Sequence, residues 1–170
     1  MADSIEQLKG IISARGGLAR SNRYRVILPA LFGLSASDLN LLCKDATLPG
    51  RQITTNDRTI GIRTEKTAYG YTTDDVVMTF HITNDHAVRK YFESWQRLAV
   101  DPDTYEIGFK KDYSHIVQVS VYNSYTDTLD YTCTLYDAFP VQINTTNLVN
   151  DQDGLIDLNV TFSYSNWKSF

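Results

Sequence analysis

The sequence is poor in the features that usually disclose a chemistry. It holds two cysteines and three histidines in 170 residues. Cys43 and Cys133 lie far apart, each inside an apolar-patterned strand candidate (LNLLCK and YTCTLY), and lack the close spacing of zinc or thioredoxin-like sites. Buried free thiols are expected. No apolar run approaches the roughly eighteen residues of a membrane span. The first twenty residues, MADSIEQLKGIISARGGLAR, mix charges throughout, unlike a secretion signal. The expectation is a chain kept in the cytosol unless a larger assembly carries it out.

Positive charge is also short: 16 Lys and Arg face 20 Asp and Glu, net −4, which disfavours a surface built to grip nucleic-acid phosphate. Neither a phosphate-cradling glycine loop nor a nucleophile elbow is present. NDQDG (150 to 154) resembles a calcium loop only superficially, because Val149 stands where an oxygen ligand is needed; it reads as a turn. No catalytic residue, metal site or cofactor is predicted, and the chain is not read as an enzyme.

What the sequence does have is β-forming texture, with 11 Tyr and many Thr. SIEQLKGIISARGG predicts a short helix: Ser4 caps, Gln7 completes a capping box, Ile5, Leu8, Ile11 and Ile12 form one stripe, and Gly16 and Gly17 stop it. Strands are predicted at 22–29 (NRYRVILP), 39–46 (LNLLCKDA), 76–83 (VVMTFHIT), 115–123, 130–140 and 154–167, with LFGLSASDL as a loop and turns at NSYTDT and NDQDG. Between Leu48-Pro49-Gly50 and Tyr71 runs RQITTNDRTIGIRTEKTAYGY, rich in β-formers and charge but nearly devoid of large aliphatics. Such a hairpin cannot bury much against its own core. It reads as an arm, about 50–71, that finds its partner elsewhere, with Gly61 and Gly70 breaking it.

The stretch 72–101, TTDDVVMTFHITNDHAVRKYFESWQRLAVD, collects carboxylates and histidines that could look catalytic. Asp74 and Asp75, as strand neighbours, would point to opposite faces rather than converge. His81, His86 and His115 lack the i,i+4 spacing of a helical metal pair. A scaffold reading is simpler. Asp85 caps a helix whose Val88, Tyr91, Phe92, Trp95, Leu98 and Ala99 share a buried face, and Glu93 and Arg97 pair on the wet side. The domain organisation predicted is an N-terminal helix or arm at 1–19 and one domain at 20–170. The fold class is mainly β (α+β): an antiparallel sandwich or partial barrel with one packed helix and a short N-terminal helix. From composition alone, a monomeric small-ligand β-barrel, its 51–71 hairpin closed over a pocket, stays open.

Three segments in order narrow this. TTDDVVMTFHITNDHAVRKYFESWQ resembles the central strand-to-helix signature of the tail tube proteins of contractile-tailed, T-even-like phages, a family that includes bacteriocin tubes. CKDATLPGR resembles the family's strand end before its long arm, while LYDAFPVQI and LNVTFSYSNW resemble its Phe-Pro turn and closing strand. The match runs from about residue 20 to 168. The resemblance implies hexameric rings whose strands join into one multi-subunit barrel. Six subunits giving about four strands each make roughly 24, wide enough for an aqueous channel.

It further implies stacking into a virion tail tube, assembled in the host cytoplasm, that conducts the genome at ejection. The partners implied are other copies of the chain, tail sheath, baseplate or tube initiator, tail terminator, tape-measure protein, and double-stranded DNA passing without specific binding; no membrane is implied. A baseplate tube initiator or a phage-derived injection-system tube is the alternative. On this reading Glu65, Asp74 and Asp75 face the lumen, and Arg51, Gln52, Ile53, Thr59, Ile60 and Ile62 of the arm reach neighbouring subunits or rings.

Overall fold

The alternation of Val76, Met78 and Phe80 with Val77, Thr79 and His81 becomes a strand with one face fully buried. The rest of the fold is arranged around that face. The computed structural model describes residues 4–144, 146 and 155–170, so the turn expected at NDQDG lies outside the described residues. In chain order the elements are α1 (Ile5–Ala14), β1 (Tyr24–Ile27), α2 (Ala36–Leu42), β2 (Cys43–Ala46), β3 (Arg51–Ile60), β4 (Arg63–Thr73), β5 (Val76–His81), α3 (Ala87–Ala99), α4 (Lys110–Tyr113), β6 (His115–Tyr122), β7 (Leu129–Ile143), β8 (Asp157–Ser163) and β9 (Asn166–Ser169).

All described pairings are antiparallel, and the main path runs β1-β6-β7-β8-β5-β2, with β9 also on β7. The sheets do not close into a barrel within one chain. Strand β7 serves both halves. Its first part pairs with β6 and β9, and its second part, from Phe139, pairs with β8. Two irregularities produce the bend. Asp137 takes a left-handed backbone (φ 53) where the β6 register slips between His115 and Val117, and the β8 register slips between Pro140 and Gln142. A bulge of this kind sharpens local twist. The Phe-Pro turn expected at 139–140 is therefore a correction: the strand runs through Phe139 and Pro140 to Ile143.

Between the sheets and α3 lies an aromatic core. Phe92 sits with its ring centroid 5.0 Å from Phe80, 5.0 Å from Tyr91 and 5.9 Å from Phe162; Trp95 is stacked 6.5 Å from Phe92. Their polar atoms are satisfied: Trp95 Nε1 donates to Tyr113 O at 2.6 Å and Tyr91 Oη to Pro29 O at 2.6 Å. A buried indole or phenol without such a partner would forfeit much of what its area gains. Val88, Tyr91, Phe92 and Trp95 are buried on one helix face. Leu98, expected with them, is instead 39% exposed, because it lies in the last turn of α3 at the margin of the core.

Other expectations need correction for local reasons. The strand predicted at 39–46 begins as helix α2, capped by Ser35 Oγ accepting from Asp38 N at 3.1 Å, and only Cys43–Ala46 is strand. The pair expected between Glu93 and Arg97 is not formed: Glu93 accepts from Arg89 at 2.8 Å, and Arg97 reaches Asp103. Asp85 accepts from Ala87 N at 3.2 Å, but the N-cap position itself is His86, in left-handed conformation. The capping box of α1 is formed as expected by Ser4 and Gln7, and Gly16 and Gly17 end the helix with φ of 77 and 95. Its stripe nevertheless stays exposed at Ile5, Leu8 and Ile11. Cys43 and Cys133 are free thiols, half-buried and buried.

A polar clasp joins three strands at one end of the sheet. Asp157 on β8 accepts from Lys44 Nζ on β2 and lies 2.8 Å from His81 Nδ1 on β5. The hydrogen bond from Lys44, aided by His81, holds the Asp157 carboxyl below the usual carboxylate range.

Two outcomes follow from this packing. Trp95→Ala should cost about 3–5 kcal/mol in chemical denaturation, whereas Leu98→Ala should cost under about 1 kcal/mol. Because the Asp157 pKa is depressed on folding, its stabilisation is present above the ordinary carboxylate pKa, near ~4, and is lost as pH falls below that value. Urea midpoints of wild type and Asp157→Asn should therefore differ at pH 6 and converge as pH falls below about 4.

Candidate assembly interface

Strands β3 and β4 form a separate two-stranded sheet, paired from Arg51↔Thr73 at the base to Ile60↔Arg63 at the tip. Ten residues of strand carry the tip about 34 Å from the base. Threonines and charges make it a good strand and a poor core. Along both strands only Thr54 and Thr73 are even partly buried. Gly61, with φ 64, opens the two-residue turn, a left-handed position that favours glycine at the head of a tight hairpin. Gly70 does not break the strand as expected. It pairs with Thr54 beside a register slip in which the next pair is Thr55↔Ala68, so it marks a bulge.

The base is anchored firmly. Thr47 continues the β2–β5 ladder with its side chain, Oγ1 accepting from Val77 N at 2.8 Å and donating to Val77 O at 2.7 Å. Tyr164 Oη donates to Asp74 O at 2.6 Å on the returning side. Between them the Arg51 guanidinium lies 4.8 Å from the centroids of both Tyr71 on the hairpin and Trp167 on β9, and donates to Trp167 O at 3.3 Å. A cation held between two aromatic faces fixes direction as well as adding attraction. This clamp carries no sequence signal, since its two sides are 116 positions apart.

The expected arm residues fall on this element: Arg51 at the clamp, Gln52 and Ile53 just above it, Thr59 and Ile60 near the tip, Ile62 in the turn. Ile53, Ile60 and Ile62 are 62%, 59% and 108% exposed. The acids assigned to one wall are not brought together. Asp74 and Asp75 are exposed at the base, between β4 and β5, while Glu65 faces Arg58 near the tip, about 30 Å along the strand. Among the described residues both strands of the hairpin are exposed nearly throughout, unlike a lid closed over the pocket of a small-ligand barrel.

A second exposed apolar surface went unread in the sequence. After α3 the chain doubles back: Val100 bridges Ile107, Gly108 N donates to Ala99 O at 3.0 Å, and Asp101 N donates to Glu106 O at 3.1 Å. Tyr105 is held in left-handed backbone (φ 59) with its amide on Asp101 O at 2.9 Å. A Cβ on Gly108 would sit 2.1 Å from Leu98 O, so the close approach requires glycine there. This loop presents Val100, Tyr105, Ile107 and Phe109, all more than half exposed.

The residues that could have looked catalytic are dispersed. Burial pushes the Cys43 thiol up to about 12 and, with Cys43 beside it, the Tyr24 phenol up to about 12, the wrong direction for a nucleophile. His81 is occupied by Asp157, and His86 sits at a helix start. Among the described residues no three His, Cys, Asp or Glu gather as a metal set, and no helix is long and apolar enough to cross a membrane.

No curated protein matches the chain in sequence. Solved structures do match in shape. A chain of the PVC sheath–tube complex of an extracellular contractile injection system, in its extended state, aligns over 99% of both chains with a TM-score of 0.65 at 11% identity. A chain of the tube-terminating cap of the anti-feeding prophage aligns over 90% of this chain and 91% of its own with a TM-score of 0.68 at 9% identity. A chain of the anti-feeding prophage baseplate covers 90% and 95%, with a TM-score of 0.63 at 15% identity. At such identities the likeness establishes the fold alone. The family model for phage tail tube proteins, however, matches residues 19–169, nearly the whole chain, and by that match the protein belongs to the phage tail tube family, a structural family and not an enzyme.

Proposed function

We propose that the chain is the repeating subunit of a tail tube: six copies form a ring, rings stack, and the bore conducts the genome during ejection. The observation that carries the reading is the β3–β4 hairpin, rigidly aimed by Arg51 yet wet on both faces along its length. An isolated two-stranded hairpin is marginal in water. Contact between copies would cover its Ile53, Ile60, Ile62, Tyr69 and Tyr71, all more than half exposed. The tube would be housed by a sheath, start on a baseplate initiator and end at a terminator, with tape-measure protein and double-stranded DNA in the bore. The assembled site would be the virion tail, built in the host cytoplasm.

On this reading residues 1–19 act as a separate N-terminal arm and 20–170 as the tube domain. Asp74 and Asp75 contribute negative charge to the lumen wall, while Glu65, the cross-strand partner of Arg58, shares the hairpin face of the tip cations. Repulsion of phosphate lets DNA slide, since any attraction repeated at each ring would become a brake.

Electron microscopy of concentrated protein, alone or coexpressed with baseplate components, should show rings or tubes; a dispersed monomer under every such condition overturns the proposal. Trypsin should cut the free subunit first at Arg58, Arg63 and Lys66, and those sites should become resistant in tubes. Replacing 52–72 by a short turn should leave the cooperative unfolding of the core in place and abolish assembly. Arg51→Ala should do the same more mildly, lowering the assembled fraction without moving the core's urea midpoint by more than about 0.5 kcal/mol equivalent.

A further inference from the structure

The hairpin tip and the loop after α3 are unfinished in complementary ways. Near the tip, residues 57–66 hold Arg58, Arg63 and Lys66 against Asp57 and Glu65, net +1 within a chain of net −4. Residues 101–106 hold Asp101, Asp103 and Glu106 and no cation. Both surfaces are apolar at their centres. The tip ends in Ile60 and the fully exposed Ile62; the loop offers Val100, Tyr105, Ile107 and Phe109. Beside that loop, between α3 and the second half of β7, lies an open groove of about 590 Å³ lined by Gln96, Ala99, Val100, Pro102, Pro140 and Val141, with Glu93 and Arg97 also at its border.

We propose that the hairpin tip of one copy docks on the Val100–Phe109 platform of a second copy, with Ile62 seated in the groove beside α3 and the tip cations facing Asp103 and Glu106. The inference deepens the tube reading and rests on it. Three features favour this platform. It is preorganised, since the backbone bonds that fold it onto α3, and the left-handed Tyr105, are already in place in the single chain. Its groove cannot be filled by strand addition: Gln96 Nε2 already occupies the β7 carbonyls of Pro140 and Val141 at 3.4 and 3.1 Å, and Pro140 has no N–H to offer. A side-chain knob fits what a strand cannot. The competing acidic and aromatic loop, 123–130, is engaged at home through its aromatic, because Tyr125 lies against Gly17; the Asp127–Arg23 pair is matched on the platform by Asp103–Arg97, both at 3.6 Å, and Glu106 is left to meet the tip cations.

The test mixes two variants, one tagged and carrying Ile62→Cys, the other untagged and carrying Ile107→Cys, under conditions where wild type forms tubes, and treats them with a short bismaleimide. Native Cys133 is buried and Cys43 half-buried, which keeps background low. The expected result is a tagged–untagged dimer joined at 62 and 107, and none when Tyr125→Cys replaces Ile107→Cys. In parallel, Arg58→Glu with Arg63→Glu should lose the tubes, and Asp103→Arg with Glu106→Arg on the same chain should restore them. Wild-type tubes without the 62–107 product, with a 62–125 product in its place, or with tip reversals that leave assembly intact, overturn the docking and leave the tube reading standing. Absence of wild-type assembly under all conditions overturns both.

Discussion

Burial in this molecule is divided very unevenly, and the division is the constraint from which the other features follow. One body of the chain packs Phe80, Phe92, Trp95 and Phe162 to complete exclusion of water. A second body, the β3–β4 hairpin, is exposed along almost its whole length beyond its base. Apolar burial is what offsets the entropy of ordering a chain, so the first body must hold the second in place. Arg51 is where that debt is met, with its guanidinium between Tyr71 and Trp167. The clamp aims the hairpin; it cannot cover it. The exposed isoleucines and tyrosines therefore remain available to whatever lies within about 34 Å of the base.

Edge strands show the same economy. A free edge invites uncontrolled pairing, and two of the edges here are blunted by single side chains. Asn40 Oδ1 accepts from Val26 N at 2.7 Å beside β1, and Gln96 donates to the Pro140 and Val141 carbonyls in the second half of β7. Among the described residues strands β2 and β9 each pair on one side only. The borders of the sheet are thus not uniformly open: the proposed assembly could use edges at only certain strands, and the hairpin offers a longer exposed surface.

Much of the architecture was legible because it depends on local period. Alternation at 76–81 and the helical stripe Val88, Tyr91, Phe92, Trp95 are dictated by the pleat and by 3.6 residues per turn, and the capping box at Ser4 is a four-residue signal. Failures came where two periods coexist or where the partner is distant. In LNLLCKDA, Leu39 and Leu42 also satisfy a helix, and the Ser35 cap settles the choice in favour of helix up to Leu42. Leu98 keeps the period of the buried stripe but lies beyond the core it should meet. Glu93 has Arg89 four residues before it and Arg97 four residues after, and Asp103 took Arg97. The hairpin itself was legible, since poverty in aliphatics marked it, but neither the Arg51 clamp nor the exposed Tyr105–Phe109 loop leaves a pattern in the linear chain.

The stretch 72–101 shows why residue type alone is a weak guide to chemistry. Its acids and histidines occur at junctions because junctions need side chains that satisfy stray backbone groups or tolerate unusual φ. Asp85 takes Ala87 N, His86 accepts the left-handed position at the helix start, and His81 meets Asp157 across two strands. Asp85 and His81 are engaged locally, and these residues do not converge on one cleft. Under the proposed tube reading that dispersion matters. A group free to bind would be repeated in every copy, and whatever it gained on one passing phosphate it would gain at each proposed ring, turning a conduit into a trap. The proposal therefore calls for a subunit whose polar groups gather into no reactive site, which is how the acids and histidines of 72–101 are arranged.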